Sequence, residues 1–416
     1  MVKAELLTIG DEILFGQIVD TNAQWMSTEL TKAGIKVVRK TSVGDIENEI
    51  LTAFAEAEKR ADIVLITGGL GPTSDDLTKP CLAKYFDCEL RIHDEALAEV
   101  TAFFKSRGRE LTEVNRQQAA LPACCEKITN AVGTAPGMWF HRGGKVFVSM
   151  PGVPYEMKTM MTKIVIPKLL NTFQTPVIHH SIIRTIGIGE SFLADKLTEW
   201  EKSLPSHIKL AYLPSFGQVK LRLTAYGADL DSLKAESQKY VDRLRPLVDE
   251  YIFGYSDDDI EVELGRTLSK RNISVSVAES CTGGFLCHLI TTAPGSSAYF
   301  RGGIVTYDNT IKVRDLNVNA ETLKIHGAVS EETVREMAEQ VRKKLNTDIG
   351  VATSGIAGPG GGTEEKPVGM VWIAYADEKK TVARKLLLSK DRAVNIRTSS
   401  IATLNLIRLN LPKENE

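Results

Sequence analysis

Short β-rich runs that stop at glycine or a turn residue recur along this chain, and they constrain its fold more than any other feature. AELLTIG (4–10), IKVVRKTSV (35–43), ADIVLITGG (61–69) and KVFVSMPG (145–152) lie in the N-terminal part, ISVSVA (273–278) and DIGVATSGIAG (348–358) in the C-terminal part. Helical patterns separate them. In DTNAQWMSTELTKAG, Trp25, Met26, Glu29, Leu30 and Ala33 recur at helical spacing, and Gly34 sits where a helix would stop. Strand and helix in alternation predict a mostly parallel sheet covered by helices. Such sheets bind ligands beyond the carboxyl ends of their strands, so the residues right after each strand are the informative ones.

At 416 residues the chain is too long for one ordinary core. The expected class is α/β: two α/β domains with mostly parallel sheets, at residues 1–170 and 256–416, joined by a small α+β domain at 171–255. In that middle stretch HHSIIRTIGIG and GQVKLRLTAYG read as strands, and Leu230, Leu233, Tyr240, Val241, Leu244 and Val248 share one helical face. GIGES is no dinucleotide fingerprint, because Phe192 stands at the third glycine's position. The net charge of −2, from 51 basic and 53 acidic residues without a like-charge block, gives no nucleic-acid surface. Neither a signal peptide nor a membrane-spanning run is found, which predicts a cytoplasmic protein. Cys81, Cys88, Cys124, Cys125, Cys281 and Cys287 form no CxxC pair and read as buried thiols.

In VAESCTGGFL (277–286) a serine and a cysteine stand side by side where a strand becomes a helix. A nucleophilic Cys281 needs a base or cation to lower a thiol pKa of about 8.5. His288 is too far along the same helix, roughly 10 Å by its rise, and His326 sits in what reads as an ordinary loop, LKIHGAVS. Ser280 needs a base too, and a desolvated neutral lysine can serve. Lys312, in TYDNTIK after the strand GIVTY, should reach the same sheet edge, with Tyr307 placed to relay a proton or hold the ammonium. Gly283 and Gly284 open the following helix, where free amides could hold an oxyanion or phosphate. TSGIAGPGGG (353–362) offers further main-chain donors. Such a strand–Ser–Gly–Gly–helix stretch is more often plain turn chemistry.

Taken together, AESCTGG, GSSAYFRGGIVTYDNTIK, HGAVSEETV and SGIAGPGGGTEEKPVG resemble the C-terminal domain of the CinA family. LLTIGDEILFGQIVDTNAQWMSTEL, TGGLGPTSDD, NRQQAALP, NAVGTAPGMW and MPGVPYEM resemble its N-terminal domain, related to the molybdopterin-binding MogA and MoeA folds. TIGIGES resembles its KH-like middle domain, so the resemblance spans essentially the whole chain. It implies hydrolysis of nicotinamide mononucleotide (NMN) to nicotinic acid mononucleotide and ammonia, in pyridine-nucleotide salvage. Ser280 would be the nucleophile, Lys312 its activating partner and Tyr307 a member of the same cluster. Amides of Cys281, Thr282, Gly283 and Gly284 would supply the oxyanion donors. Ser354, Gly355, Ala357 and Gly358 would cradle the ribotide. Arg392 would pair with its phosphate, although a surface salt bridge suits it as well. No cofactor is implied for this reaction, and a homodimer is.

Gly10, Asp11 and Glu12, then Asp45, then TGGLGPTSDD (67–76) all follow predicted strands of the first domain and should meet at one sheet edge. Gly68, Gly69 and Gly71 offer main-chain donors to a phosphate. Asp45, Asp75 and Asp76 offer oxygen ligands to a divalent cation, which diphosphate substrates need. The resemblance adds a metal-dependent ADP-ribose pyrophosphatase using Mg²⁺, Mn²⁺ or Co²⁺. Helix capping is the plain alternative for Asp75 or Asp76, and a solvated helix face is that for Asn115, Arg116 and Gln118. Two other readings stand beside a two-activity enzyme: an amidase carrying a nucleotide- or pterin-binding module, and a competence-linked partner protein.

Overall fold

The computed structural model describes residues 1–73 and 76–411. They divide into two compact units, one of Met1–His179 with Tyr226–Leu233, the other of His180–Ala225 with the chain from Lys234 onward. Among the described residues no helix is long and apolar enough to cross a membrane.

The first unit holds strands β1 (Lys3–Ile9), β2 (Lys36–Val43), β3 (Ile63–Thr67), β4 (Leu90–Ile92), β5 (Ala120–Pro122), β6 (Glu126–Ile128), β7 (Gly137–Arg142) and β8 (Lys145–Met150). Six of them form one sheet in the order β2-β1-β3-β8-β7-β6. β2, β1, β3 and β8 run parallel, while β7 and β6 close the edge antiparallel. β1 and β3 are buried almost throughout, as strands covered on both faces must be. One face packs on Met26 and Leu30 of helix Thr21–Lys32, the other on Ile50 and Phe54 of helix Glu47–Arg60. Each wholly buried Leu, Ile or Phe contributes about 1.5–3 kcal/mol.

One sequence expectation is corrected here. Cys88 and Cys124 are joined in a disulfide with Cα atoms 6.1 Å apart, and only Cys81, Cys125, Cys281 and Cys287 are thiols. The antiparallel pairing of β4 with β5 sets Leu90 opposite Pro122. Two residues further out along both strands, the same register brings positions 88 and 124 face to face.

The middle sheet has the order β10-β11-β9-β12, from β9 (Val177–Ile186), β10 (Ile208–Ser215), β11 (Gln218–Gly227) and β12 (Ile252–Gly254). The last sheet has the order β14-β13-β15-β16-β17, from β13 (Val275–Glu279), β14 (Phe300–Val305), β15 (Ile349–Gly355), β16 (Met370–Ala376) and β17 (Thr381–Leu387). β13 lies between β14 and β15, parallel to both, and β16 and β17 follow antiparallel. Helices Ile260–Lys270, Phe285–Thr292 and Arg392–Asn410 cover one face, and helix Glu331–Leu345 the other. The α/β class with an α+β middle part is therefore what the chain adopts. His326 is not in a loop but ends the helix Ala320–His326.

Candidate functional site

β13 is the central parallel strand of its three, so the residue after it emerges in a crevice between the ends of β14 and β15. That residue is Ser280, whose amide donates to Thr353 O at 2.9 Å. Gly283 (φ 61°) and Gly284 (φ 101°) then turn the chain left-handed into helix Phe285–Thr292. A Cβ at Gly283 would meet nothing, so backbone conformation rather than space calls for glycine there.

Lys312 comes from the short helix Asn309–Arg314 beyond β14, capped by the Asp308 carboxylate on the Thr310 amide. Its Nζ is 3.2 Å from Ser280 Oγ, 2.7 Å from Thr306 O and 3.3 Å from Tyr307 O. Ser280 is 8% and Lys312 1% exposed. Burial pulls the Lys312 pKa below its ordinary value, against the opposing pull of Asp308. The partners set the geometry of the neutral amine. Two of the three are carbonyl oxygens, which only accept, so both N–H bonds of a neutral Lys312 point at them. Its lone pair is left facing the serine hydroxyl. Tyr307 thus meets the amine with its main-chain oxygen and not, as the sequence had implied, with its phenol, which accepts a hydrogen bond from Arg392 at 3.1 Å.

The amides free to act as the expected oxyanion donors are fewer than the sequence implied. Glu279 is wholly buried, and its carboxylate accepts the amides of Gly284, Leu286 and Cys287 at 2.9, 3.0 and 2.8 Å. The Gly283 amide donates to Ser280 O. Of the turn's amides, those of Cys281 and Thr282 alone donate to no other residue among the described residues. Thr282 Oγ1 meets Thr353 Oγ1 at 2.6 Å and pins the turn to β15. The Cys281 thiol is pushed up to about 12, first by burial and further by Glu279, although its own backbone amide, Lys312 and Arg392 pull the other way. A thiol so placed stays protonated and is a poor nucleophile.

These groups open into a cavity of about 220 Å³. Ser280, Cys281, Tyr307, Lys312, Ser354, Gly355, Ala357 and Arg392 line it as expected from sequence, joined by Asn309, Ala328 and Val329, which were not. None is acidic. Ser354 Oγ donates to Ala328 O at 2.6 Å. Gly358 stands behind the wall, where its carbonyl takes Arg392 at 2.7 Å. Arg392 forms no ion pair among the described residues, so the salt-bridge reading falls. Sequence reasoning also missed Asn395, wholly buried, whose side-chain amide donates to Ala357 O and Ser389 O at 2.9 Å each. A polar residue on an outwardly ordinary helix gave no signal of that.

In the first unit Gly10, Asp45 and Gly68 follow β1, β2 and β3, three neighbouring parallel strands, and so share one sheet edge. The Asp11 amide donates to the Asp45 carboxylate at 3.1 Å and the Asp45 amide to that of Asp11 at 3.3 Å. Glu12 is exposed beside them. The expected phosphate cradle is mostly taken: Gly68 N–H donates to Met150 O at 3.3 Å and Gly71 N–H to Asp76 at 2.8 Å, which among the described residues leaves Gly69. Asp76 caps no helix but gathers its own loop, also accepting the Thr73 amide and hydroxyl at 2.9 and 2.6 Å. Asp75 lies outside the described residues. Among the described residues no three acidic, His or Cys side chains group as metal ligands, so Asp45 and Asp76 do not by themselves fit the expected cation. Asn115 and Arg116 sit on the short helix Glu113–Arg116, whereas Gln118 is buried and its carbonyl accepts Lys79 at 2.8 Å. Lys79 was also missed; burial pushes it down to about 8.

Comparison with known proteins gives three family matches. The CinA C-terminal domain matches residues 257–411, the damage-inducible protein CinA KH domain residues 180–254, and a domain described as probable molybdopterin binding residues 5–171. A CinA-like protein of Cytophaga hutchinsonii is 52% identical over 410 residues, 99% of this chain and 98% of its own. One of Flavobacterium psychrophilum is 44% identical over 95% of this chain and 96% of its own. A solved structure, competence/damage inducible protein CihA from Agrobacterium tumefaciens, is 35% identical and covers 38% of this chain and 100% of that one, with a TM-score of 0.35.

Proposed function

This chain belongs to the CinA family, and from that premise we propose that its C-terminal domain is a serine amidase that hydrolyses NMN to nicotinic acid mononucleotide and ammonia. The observation that carries the reading is the buried Lys312 amine, 3.2 Å from Ser280 Oγ, with two main-chain carbonyls as its other partners. Ser280 Oγ attacks the carboxamide carbon as its proton passes to the Lys312 lone pair. The carbonyl oxygen takes the negative charge and meets the open amides of Cys281 and Thr282. Lys312, now an ammonium, returns the proton to the leaving nitrogen, the C–N bond breaks and ammonia departs. Water then attacks the ester, Lys312 takes its proton, and the acid leaves as Ser280 recovers its hydrogen. Arg392 meets the substrate phosphate and, bonded to Gly358 O, is already held in place.

The test is ammonia release from NMN by wild type, Ser280→Ala and Cys281→Ala. Loss in the serine variant with activity kept in the cysteine variant is the expected result. Loss only in the cysteine variant would overturn the choice of nucleophile.

For the N-terminal domain we favour a nucleotide- or pterin-binding module over an ADP-ribose pyrophosphatase. The observation is the commitment of Asp76 to the amides of Gly71 and Thr73. ADP-ribose that binds without turnover in Mg²⁺, Mn²⁺ and Co²⁺ supports the module, and turnover with any of them restores the pyrophosphatase.

A further inference from the structure

Helix Arg392–Asn410 reaches two places at once. Its first turn belongs to the pocket, where Arg392 bonds Gly358 O and Asn395 bonds Ala357 O. Its later turns pack on the last sheet through Leu404, Leu406 and Ile407, and the same turns also reach the middle sheet. The Arg397 guanidinium lies 4.7 Å from the ring centroid of Phe216, in the tight turn between β10 and β11. Ile401 shares a core with Ile186 at the end of β9. Arg408 donates to Ile252 O at 3.0 Å and Glu250 O at 2.9 Å. Positions 397, 401 and 408 recur at helical spacing and so lie on one face.

We infer that the middle domain is a positioning element for the candidate amidase site, with Phe216, through Arg397, fixing the helix whose first turn holds Arg392 and Asn395. A helix of 19 residues is a rod of about 28 Å, and what grips its shank limits where its tip can sit. Misplacing a binding group by about 1 Å is enough to weaken a site of this kind. Phe216 is 43% exposed, so its ring is no core residue whose loss would unfold the domain. Among the described residues its ring meets the Arg397 cation, on the helix that carries the pocket wall. What the pocket binds rests on the amidase reading. The mechanical link does not.

The experiment uses the full chain as Phe216→Ala, Arg397→Ala, the double variant and Arg397→Lys, which keeps a cation over the ring. Hydrogen exchange is followed at residues 388–396, together with KM and kcat for ammonia release from NMN. The single variants should exchange faster at 388–396 and raise KM about two- to fivefold, the range expected of one exposed cation–π contact. Their kcat should stay near wild type. The double variant should be no worse than either single one, because both remove the same contact, and Arg397→Lys should recover most of the loss. Unchanged exchange and KM in both single variants would overturn the inference. So would additive losses in kcat with a lowered melting temperature, the mark of general damage to the fold. Should wild type release no ammonia, the amidase reading fails, while the exchange measurement still decides the link.

Discussion

Lys312→Met removes the amine beside Ser280 and keeps a stem of similar length. Losing a positioned general base costs about 10²- to 10⁴-fold in rate, or about 2.7 to 5.4 kcal/mol of barrier. Stability pulls two ways. Thr306 is wholly buried and loses the donor at 2.7 Å from its carbonyl, and an orphaned acceptor costs roughly 1–3 kcal/mol. The variant no longer buries a polar amine, which offsets part of that. The net change should stay within about 2 kcal/mol, so a folded protein with almost no activity is expected. The pH profile is the sharper assay. Lys312 must be neutral to accept the proton, and burial lowers its pKa from 10.5. With Lys312 as the base, the wild-type rate should therefore rise with pH about a midpoint below 10.5. Lys312→Met should lose both the rate and that rise. A variant that is slow but keeps the wild-type acid limb would refute the assignment, because some other group would be titrating. So would a variant that keeps more than a tenth of the wild-type rate.

Glu279→Gln places an amide N–H₂ against backbone N–H donors that now share a buried carboxylate. It should cost roughly 1–3 kcal/mol in chemical denaturation, lower kcat, and speed alkylation of Cys281, whose pKa the Glu279 charge helps to raise. Unchanged thiol reactivity in that variant would count against the electrostatic role. In the other domain, Lys79 has a folded-state pKa of about 8 against 10.5 unfolded. Between those values the unfolded chain binds more protons, so stability should climb with pH from about 8 to 10.5 by roughly 3 kcal/mol, while below about 8 the burial cost is fully present. Denaturation of Lys79→Met over the same range should show that slope flattened, and an equal slope in both proteins would refute it.

The parts of the site that could be read from sequence are those fixed by local order along the chain. A strand that ends at Ser280 and a strand that ends just before Tyr307 must deliver both to one edge if they are parallel neighbours, and Lys312 follows within one turn of helix. Glu279 was passed over because the strand reading stopped at Ala278, and nothing local says that a strand-end carboxylate will bend back over three amides of the next helix. Asn395 was passed over for the same reason in reverse, since only the fold of residues 355–358 and 388–391 around it gives its amide two carbonyls. Cys88 and Cys124 are 36 residues apart, and the strands that bring them together have three residues each, too few for any periodicity. The carboxylate of Asp76 looked free for a metal because a loop that folds back on itself has no repeat to reveal it.

The placement of Glu279 also decides where a substrate's negative charge can go. An unoccupied helix N-terminus attracts phosphate, and helix Phe285–Thr292 begins next to Ser280, the proposed nucleophile. Had its first amides stayed open, the phosphate of a nucleotide would compete with the amide for the place beside Ser280. The buried carboxylate fills that position from within the chain. Lys312 must be neutral to work, so Arg392 is the cation left in the cavity, with no acidic residue lining it. On the amidase reading proposed above, a substrate with an anionic end and an amide end would thereby be oriented one way round, phosphate toward Arg392 and carboxamide toward Ser280. The amides of Cys281 and Thr282 are then kept for the charge that appears only during reaction, which is the condition for donors to lower a barrier and not merely to tighten binding.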